Sequence, residues 1–347
     1  MNMKRLFISS IIIAVCFLVP SSANAQLFRQ TTKVGTTVAQ FLKIAPDARA
    51  VGMGGAGAAM EGDIYAIYWN PGALSRLKTN GEASFNHTNW LADISYDYAA
   101  AALSIDGLGT MGLQLTSFSV PEDIVRTVIN PDGDGRRWSA GSFSLGVAFS
   151  RSLTDRFSIG FSAKYVNEYI WNMSSNGMAF DIGTIYTTNF NGLRIGASIS
   201  NFGTKMQLAG HDVSFNTNPG GLANQEAQNV PSEYQMEEFD MPLSFRIGLS
   251  MEAVQTEDFR ATVAVDATHP NDNTEYINSG IELAYQDIFF GRVGYKSLYL
   301  ENSEEGLTWG VGFKIPVSYN TGVKVDYAFA DFHRLKNVQY VTVSVTY

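Results

Sequence analysis

The chain has 347 residues, with 24 Lys and Arg against 33 Asp and Glu, a net charge of −9. An acidic balance argues against nucleic acid as a partner, because phosphates demand a basic face. Only 16% of the residues are charged, well under the roughly 25% of soluble domains, so a water-bathed globule is disfavoured and the length suits two domains or one large barrel.

Residues 1–25 read as a secretory leader. Lys4 and Arg5 form a short basic head, Leu6 to Val19 is an apolar run, and Ala23-Asn24-Ala25 is a small-x-small cleavage site. The run is shorter than the roughly 20 residues of a spanning helix. Cys16, the single cysteine, lies inside it and follows Val15 rather than a small residue, so cleavage after Ala25 is expected rather than lipidation. The exported chain then has no disulfide, zinc thiolate or thiol nucleophile, which suits a bacterial envelope protein. No later segment is apolar enough for a membrane helix, so membrane residence requires a barrel.

Residues 26–79 show no strand alternation. Gly52, Gly54 and Gly57 fit G-x-G-x-x-G, but a dinucleotide site needs a buried strand before that motif and a helix after it. Here Pro46, Asp47 and Arg49 precede it and alternating strands follow. No cofactor is expected, and the small residues read instead as points of close backbone approach. The segment is expected to start on the periplasmic side and to fill a barrel lumen as a plug. Within it, Trp69-Asn70-Pro71 has a capping Asn followed by Pro at the first helical position; its functional reading is a gate, a plug hinge beside a ligand path.

From residue 80 onward apolar and small or polar residues alternate with period two, as in Phe143, Leu145, Val147 and Phe149 against Ser142, Ser144, Gly146 and Ala148. About fourteen strands are expected, near 81–89, 95–105, 109–119, 138–152, 157–169, 177–189, 193–203, 241–254, 258–268, 275–285, 288–298, 307–317, 321–331 and 337–347. Their typical length fits a tilted bilayer crossing, and an even antiparallel count fits a single-chain outer-membrane barrel. A soluble sandwich would carry many Lys and Glu on its outer face, and a solenoid would show a fixed repeat; neither is seen. Aromatics near strand ends, among them Trp90, Tyr96, Tyr98, Trp138, Tyr169, Trp171, Tyr186, Tyr295, Tyr299, Tyr340 and Tyr347, read as interfacial girdles. The alternating end, Val341 to Tyr347, resembles a barrel-assembly signal. The fold class is therefore an all-β transmembrane antiparallel barrel, residues 80–347, with outer-membrane lipid around it.

Short turns belong on the periplasmic side and long loops outside. The long connections are 120–137, 204–240 and 299–306. In the longest, Met206, Leu208, Val213, Phe215 and Leu222 could line a greasy entry site or bind a partner's strand edge. Asn130-Pro-Asp132-Gly-Asp134-Gly135 matches the start of a calcium loop, but Gly141 stands where the twelfth-position glutamate belongs, so a solvated turn is expected. His87, His211, His269 and His333 lack metal-ligand spacing, and no Ser-His pair stands out. No metal site and no enzyme chemistry are expected.

The stretch AQFLKIAPDARAVGMGGAGAAMEGDIYAIYWNPGAL resembles the N-terminal region of the PorV/PorQ family, a branch of the FadL-like outer-membrane barrels. The matching pieces are Phe41-Leu42, Ala45-Pro46-Asp47-Ala48-Arg49, Gly52-Met53-Gly54-Gly55-Ala56 and Tyr68-Trp69-Asn70-Pro71, with Ile199 to Lys205 and Met241 to Gly248 further on. One departure is Asn70-Pro71-Gly72 where FadL-like proteins read Asn-Pro-Ala. The resemblance implies a 14-stranded barrel with plug helices and a part in type IX secretion, in which a PorV-type barrel binds the C-terminal domains of cargo and works beside a separate translocon. For the wider FadL-like group it implies passage of hydrophobic small molecules. Both partners remain open at this stage: secretion translocon and cargo, or a hydrophobic ligand.

Overall fold

On the strand Ala140–Ser152 the side chains of Phe143, Leu145, Val147 and Phe149 are exposed, while Ser142, Ser144 and Ala148 between them are buried. That is the reverse of a water-soluble sheet, where the apolar face turns inward. A sheet with an apolar exterior is stable when the exterior solvent is lipid, and lipid allows no open edge, since unpaired N–H and C=O groups there have no water to bond. The alternation therefore demands closure.

The computed structural model describes residues 33–218, 229–300, 303–318 and 321–347; the expected leader and Leu222 lie outside them. Fourteen strands form the barrel: β1 Gly81–Asn89, β2 Ser95–Ile105, β3 Gly109–Ser119, β4 Ala140–Ser152, β5 Phe157–Ile170, β6 Met173–Thr187 and β7 Arg194–Gly203 make one half. β8 Ser244–Gln255, β9 Phe259–Pro270, β10 Tyr276–Tyr285, β11 Phe289–Leu298, β12 Leu307–Pro316, β13 Gly322–Ala330 and β14 Val338–Thr346 make the other. Each pairs antiparallel with its neighbours in sequence, and β1 closes on β14 with Phe85 opposite Val343. No helix among the described residues is long and apolar enough to cross a membrane; the strands cross it.

Every expected strand is present, with two informative differences. β6 begins at Met173 rather than near 177, because a two-residue turn with Trp171 in the left-handed region (φ 50°) lets β5 and β6 pair to their ends. Tyr96, Tyr98 and Tyr340 are not girdle residues. They point into the lumen and are buried, with the Tyr96 hydroxyl donating to the Ile44 carbonyl at 3.0 Å and that of Tyr98 to the Gln114 side chain at 3.0 Å. Their strand phase places them inside, where a partner for the hydroxyl is available. Tyr169, Trp171, Tyr186, Tyr295 and Tyr347 do face outward.

The connections at one end are short (106–108, 153–156, 256–258, 286–288). Those at the other include 120–139, 204–243 and 299–306, which makes the second end the outer one. The loops expected there carry short ladders of their own: Asp123–Ile124 with Arg137–Trp138, Met206–Gln207 with Glu238–Phe239, and Ser214–Thr217 with Val230–Glu233.

Candidate functional site

Residues 33–79 run through the barrel, and their direction differs from expectation. They do not start at the periplasmic end. The Val38 N–H donates to the Asp240 carbonyl at 3.0 Å, and Thr37 bridges Asp240 in parallel. Thr37, Gln40 and Lys43 all donate to Asp272 Oδ2, at 2.7, 2.8 and 2.8 Å, and the Ala39 N–H donates to Glu168. Asp240, Asp272 and Glu168 sit at the outer ends of their strands or in the outer loops. Burial opposes the Asp272 charge, but these donors outweigh it and hold the carboxyl below the usual carboxylate range. A buried carboxylate is kept only where donors meet it, and the N-terminal arm supplies them.

From there the segment descends. Asp47 caps the short helix α1 (Ala48–Gly52): one carboxylate oxygen accepts from the Ala50 N–H at 2.6 Å and the other from Trp69 Nε1 at 2.7 Å. Three pairs of facing wall glycines receive the backbone that follows. Gly280 and Gly294 are cross-strand partners, and Cβ atoms built on them would collide with Met53 and Gly54. Gly196 and Gly248 likewise seat Ala58 and Ala59, and Gly160 and Gly183 seat Asn70, Pro71 and Gly72. The glycine motif belongs to this contact: a Cβ on Gly54, whose φ is +71°, would lie 2.6 Å from two wall carbonyls. It holds the plug against the wall rather than a nucleotide.

Trp69, Asn70 and Pro71 are all buried. Asn70 accepts from the Gly72 N–H at 3.0 Å and donates to the Ala58 carbonyl at 2.6 Å and the Thr184 carbonyl at 2.9 Å. It therefore caps the turn Pro71–Arg76 and at once ties two plug turns to β6. The Arg246 guanidinium lies over Trp69, 5.3 Å from the ring centroid.

Sequence reading did not find the charged belt below. Glu282, fully buried, receives Arg49 Nε at 3.0 Å, Arg292 Nε at 2.8 Å and Arg260 Nη1 at 3.2 Å. Arg49 also pairs with Asp63 at 2.6 Å, Arg292 with Asp326 at 2.6 Å, and Arg194 with both Glu61 and Glu252 at 2.9 Å. The available signal was a set of charges on the inward phase of their strands, legible only once that phase is known.

At the outer mouth a cavity of about 380 Å³ lies under loop 204–243. Met206, Leu208, Met236 and Phe239 line it from the loop, Val38 from the arm and Phe118 from β3, with the Glu168 carboxylate at its side. Of the expected loop contacts, Met206 and Leu208 line this cavity, Val213 is buried at the end of the short turn His211–Val213, and Phe215 on the outer ladder packs against Tyr234 with tilted rings, centroids 4.7 Å apart. In the turn Asn130–Gly135, Asp134 is held by Arg136 at 2.5 Å. The histidines stay apart, His87 with Asp97 and His269 with Glu275.

Residues 27–223 match the family described as type IX secretion system protein PorV. No curated protein matches the chain. Among solved structures, a Pseudomonas aeruginosa FadL homologue is similar at 11% identity and TM-score 0.51, covering 90% of this chain and 99% of its own. The CymD monoaromatic hydrocarbon channel (13%, TM-score 0.54, 87% and 96%) and the Pseudomonas putida toluene transporter TodX (13%, 0.54, 87% and 97%) share the fold as well. With a family match over more than half its length and a closed, plugged barrel of FadL-like form, this outer-membrane chain belongs to the PorV family of type IX secretion system proteins.

Proposed function

We propose that the barrel acts as a non-enzymatic docking component of type IX secretion, engaging a protein partner, cargo C-terminal domains or the translocon, through its outer mouth. The observation that carries this reading is where space is found. The lumen is occupied from the outer arm to Arg76 by a plug seated on wall glycines, while the roomy apolar cavity lies under the long outer loop. Exposed Phe239 in its lining, and Phe215 and Tyr234 elsewhere on the same loop, are residue types enriched at protein interfaces. The chain reaches the membrane by a leader cleaved after Ala25.

A second reading, uptake of a hydrophobic small molecule, is favoured by the apolar lining of that cavity and by the hydrocarbon channels among the structural neighbours. Here Trp69, Asn70 and Pro71 would serve as the gate. Purification from native outer membranes in mild detergent separates the two. Exported proteins sharing a C-terminal domain, or a very large barrel, in the eluate support docking. A lone barrel carrying lipid or fatty acid overturns it in favour of uptake.

A further inference from the structure

A plug that enters a barrel from the periplasm has its free end there. In this chain the first described residues, 33–43, lie at the opposite mouth. Thr37 bridges Asp240, near the end of loop 204–243, and the Val38 N–H donates to the Asp240 carbonyl. Gln40 and Lys43 bond Asp272 in the next outer loop, Ala39 bonds Glu168 near the top of β5, and Phe41 packs on Phe118 at the top of β3, with ring centroids 6.4 Å apart. The loop root is itself tied to the wall, with Asn201 donating to the Pro242 carbonyl at 3.2 Å and Asn271 to the Met241 carbonyl at 3.0 Å. Before Thr37 the chain turns outward: Lys33, Val34, Gly35 and Thr36 are all exposed. The plug's other end lies at the short-turn mouth, where Arg76 Nε donates to Ser158 at 3.0 Å and Ser75 meets Ser152. The segment thus crosses the full height of the lumen, from the outer loops downward.

We propose that the N-terminal arm, residues 33–43, is a strap across the outer mouth. Lys33 to Thr37 are displayed at the cell exterior, and the strap couples the root of loop 204–243 to the plug, so that whatever moves the loop root pulls on the plug through Thr37 and Val38. The inference rests on the orientation with long loops outward, not on the identity of any partner.

Cys16, the single cysteine, lies in the expected leader, so with the leader cleaved an introduced cysteine is the one thiol to label. Single variants Lys33→Cys, Val128→Cys (a fully exposed loop tip) and Asp155→Cys (a short turn) are treated on intact cells with a membrane-impermeant maleimide. The expected result is labelling of K33C and V128C on intact cells and of D155C only after the outer membrane is permeabilised. Labelling of K33C only after permeabilisation, with V128C still labelled, overturns the strap. Labelling of D155C but not V128C on intact cells means the long loops face inward, and the proposal falls with the orientation. The double variant T37C/D240C should form an intramolecular disulfide under mild oxidant, seen as a mobility shift, because bridged residues stand at the separation a disulfide spans. A barrel that assembles and gives no cross-link removes the tether to the loop root.

Discussion

Two glycines on one strand offer the sharpest test of how the plug is held. Gly294 of β11 faces the lumen beneath Gly54, whereas Gly291, three residues earlier, has nothing within 4 Å of where a Cβ would sit. Alanine at either site restricts the unfolded chain alike, so the difference between the two variants reports the contact. In Gly294→Ala the new methyl would overlap the Gly54 nitrogen and Met53 carbon and lie 2.8 Å from the Gly54 Cα. All three are backbone atoms, so no rotamer relieves the clash and the plug turn must move. Overpacking of this kind costs about 1–3 kcal/mol. The shift also strains the Gly54 N–H bonds to Thr308 and the Val51 carbonyl, both 3.0 Å, worth about 0.5–1.5 kcal/mol each net. The seated plug is then disfavoured by about 2–6 kcal/mol, with the barrel wall intact. Heat-modifiable migration in SDS should show folded barrels in both variants. Trypsin should cut the plug near Arg49 or Arg76 in G294A but not in G291A, and planar bilayers should show more frequent channel opening in G294A alone. A G294A plug as protected and as silent as wild type, or equal damage in G291A, refutes seating by glycine.

Glu282→Gln strands three guanidinium groups around a neutral amide; losing one partner of a buried ion cluster costs about 3–5 kcal/mol, and the heat needed to unfold the barrel in SDS should fall markedly. Arg49→Gln leaves Glu282 with Arg260 and Arg292, so its midpoint should fall by less than half as much; equal losses would contradict this account of the belt. Val343→Arg places a charge on the lipid face at mid-strand, at a cost of roughly 2–4 kcal/mol, and should lower the yield of assembled barrel. Normal yield would mean that the faces are assigned wrongly. Leu208→Asp puts a carboxylate into the apolar cavity and should weaken partner co-purification on the order of 10–100-fold, the scale of a lost interface anchor, without altering heat modifiability. Unchanged recovery moves the docking site elsewhere.

The wall was legible in the sequence because a barrel in lipid repeats one physical rule at every residue: alternate side chains meet lipid and lumen. Phe143 to Phe149 or Val341 to Val345 carry that rule with no other constraint. The plug obeys no period. Its course is set by single matches, Asp47 to Trp69, Asn70 to Thr184, Lys43 to Asp272, between residues far apart in the chain, and a sequence does not announce such pairs. The same lack hid the direction of the arm and the inward turn of Tyr96, Tyr98 and Tyr340. The Asn70-Pro71 cap was readable because both its halves are local. Its second role, bonding Ala58 and β6, was not. Glu168 and Val38 escaped notice as cavity residues because neither lies in the loop where a mouth was sought.

Shape and charge do not share equally in fixing the plug. The wall contributes Arg194, Arg260, Arg292 and Lys324 to the buried belt, and Glu82, Glu252, Glu282 and Asp326 against them. The wall's charges therefore balance without Arg49, Glu61 and Asp63 from the plug. Withdrawing the plug leaves no net charge stranded on the strands, and entering water can replace the lost hydrogen bonds at modest net cost. No such exchange is available for the backbone-on-glycine seats, whose fit is lost outright when the turn lifts. Charge keeps the barrel's interior mutually satisfied, while shape decides where the plug rests. A pull on the strap at Thr37 must overcome the seats first.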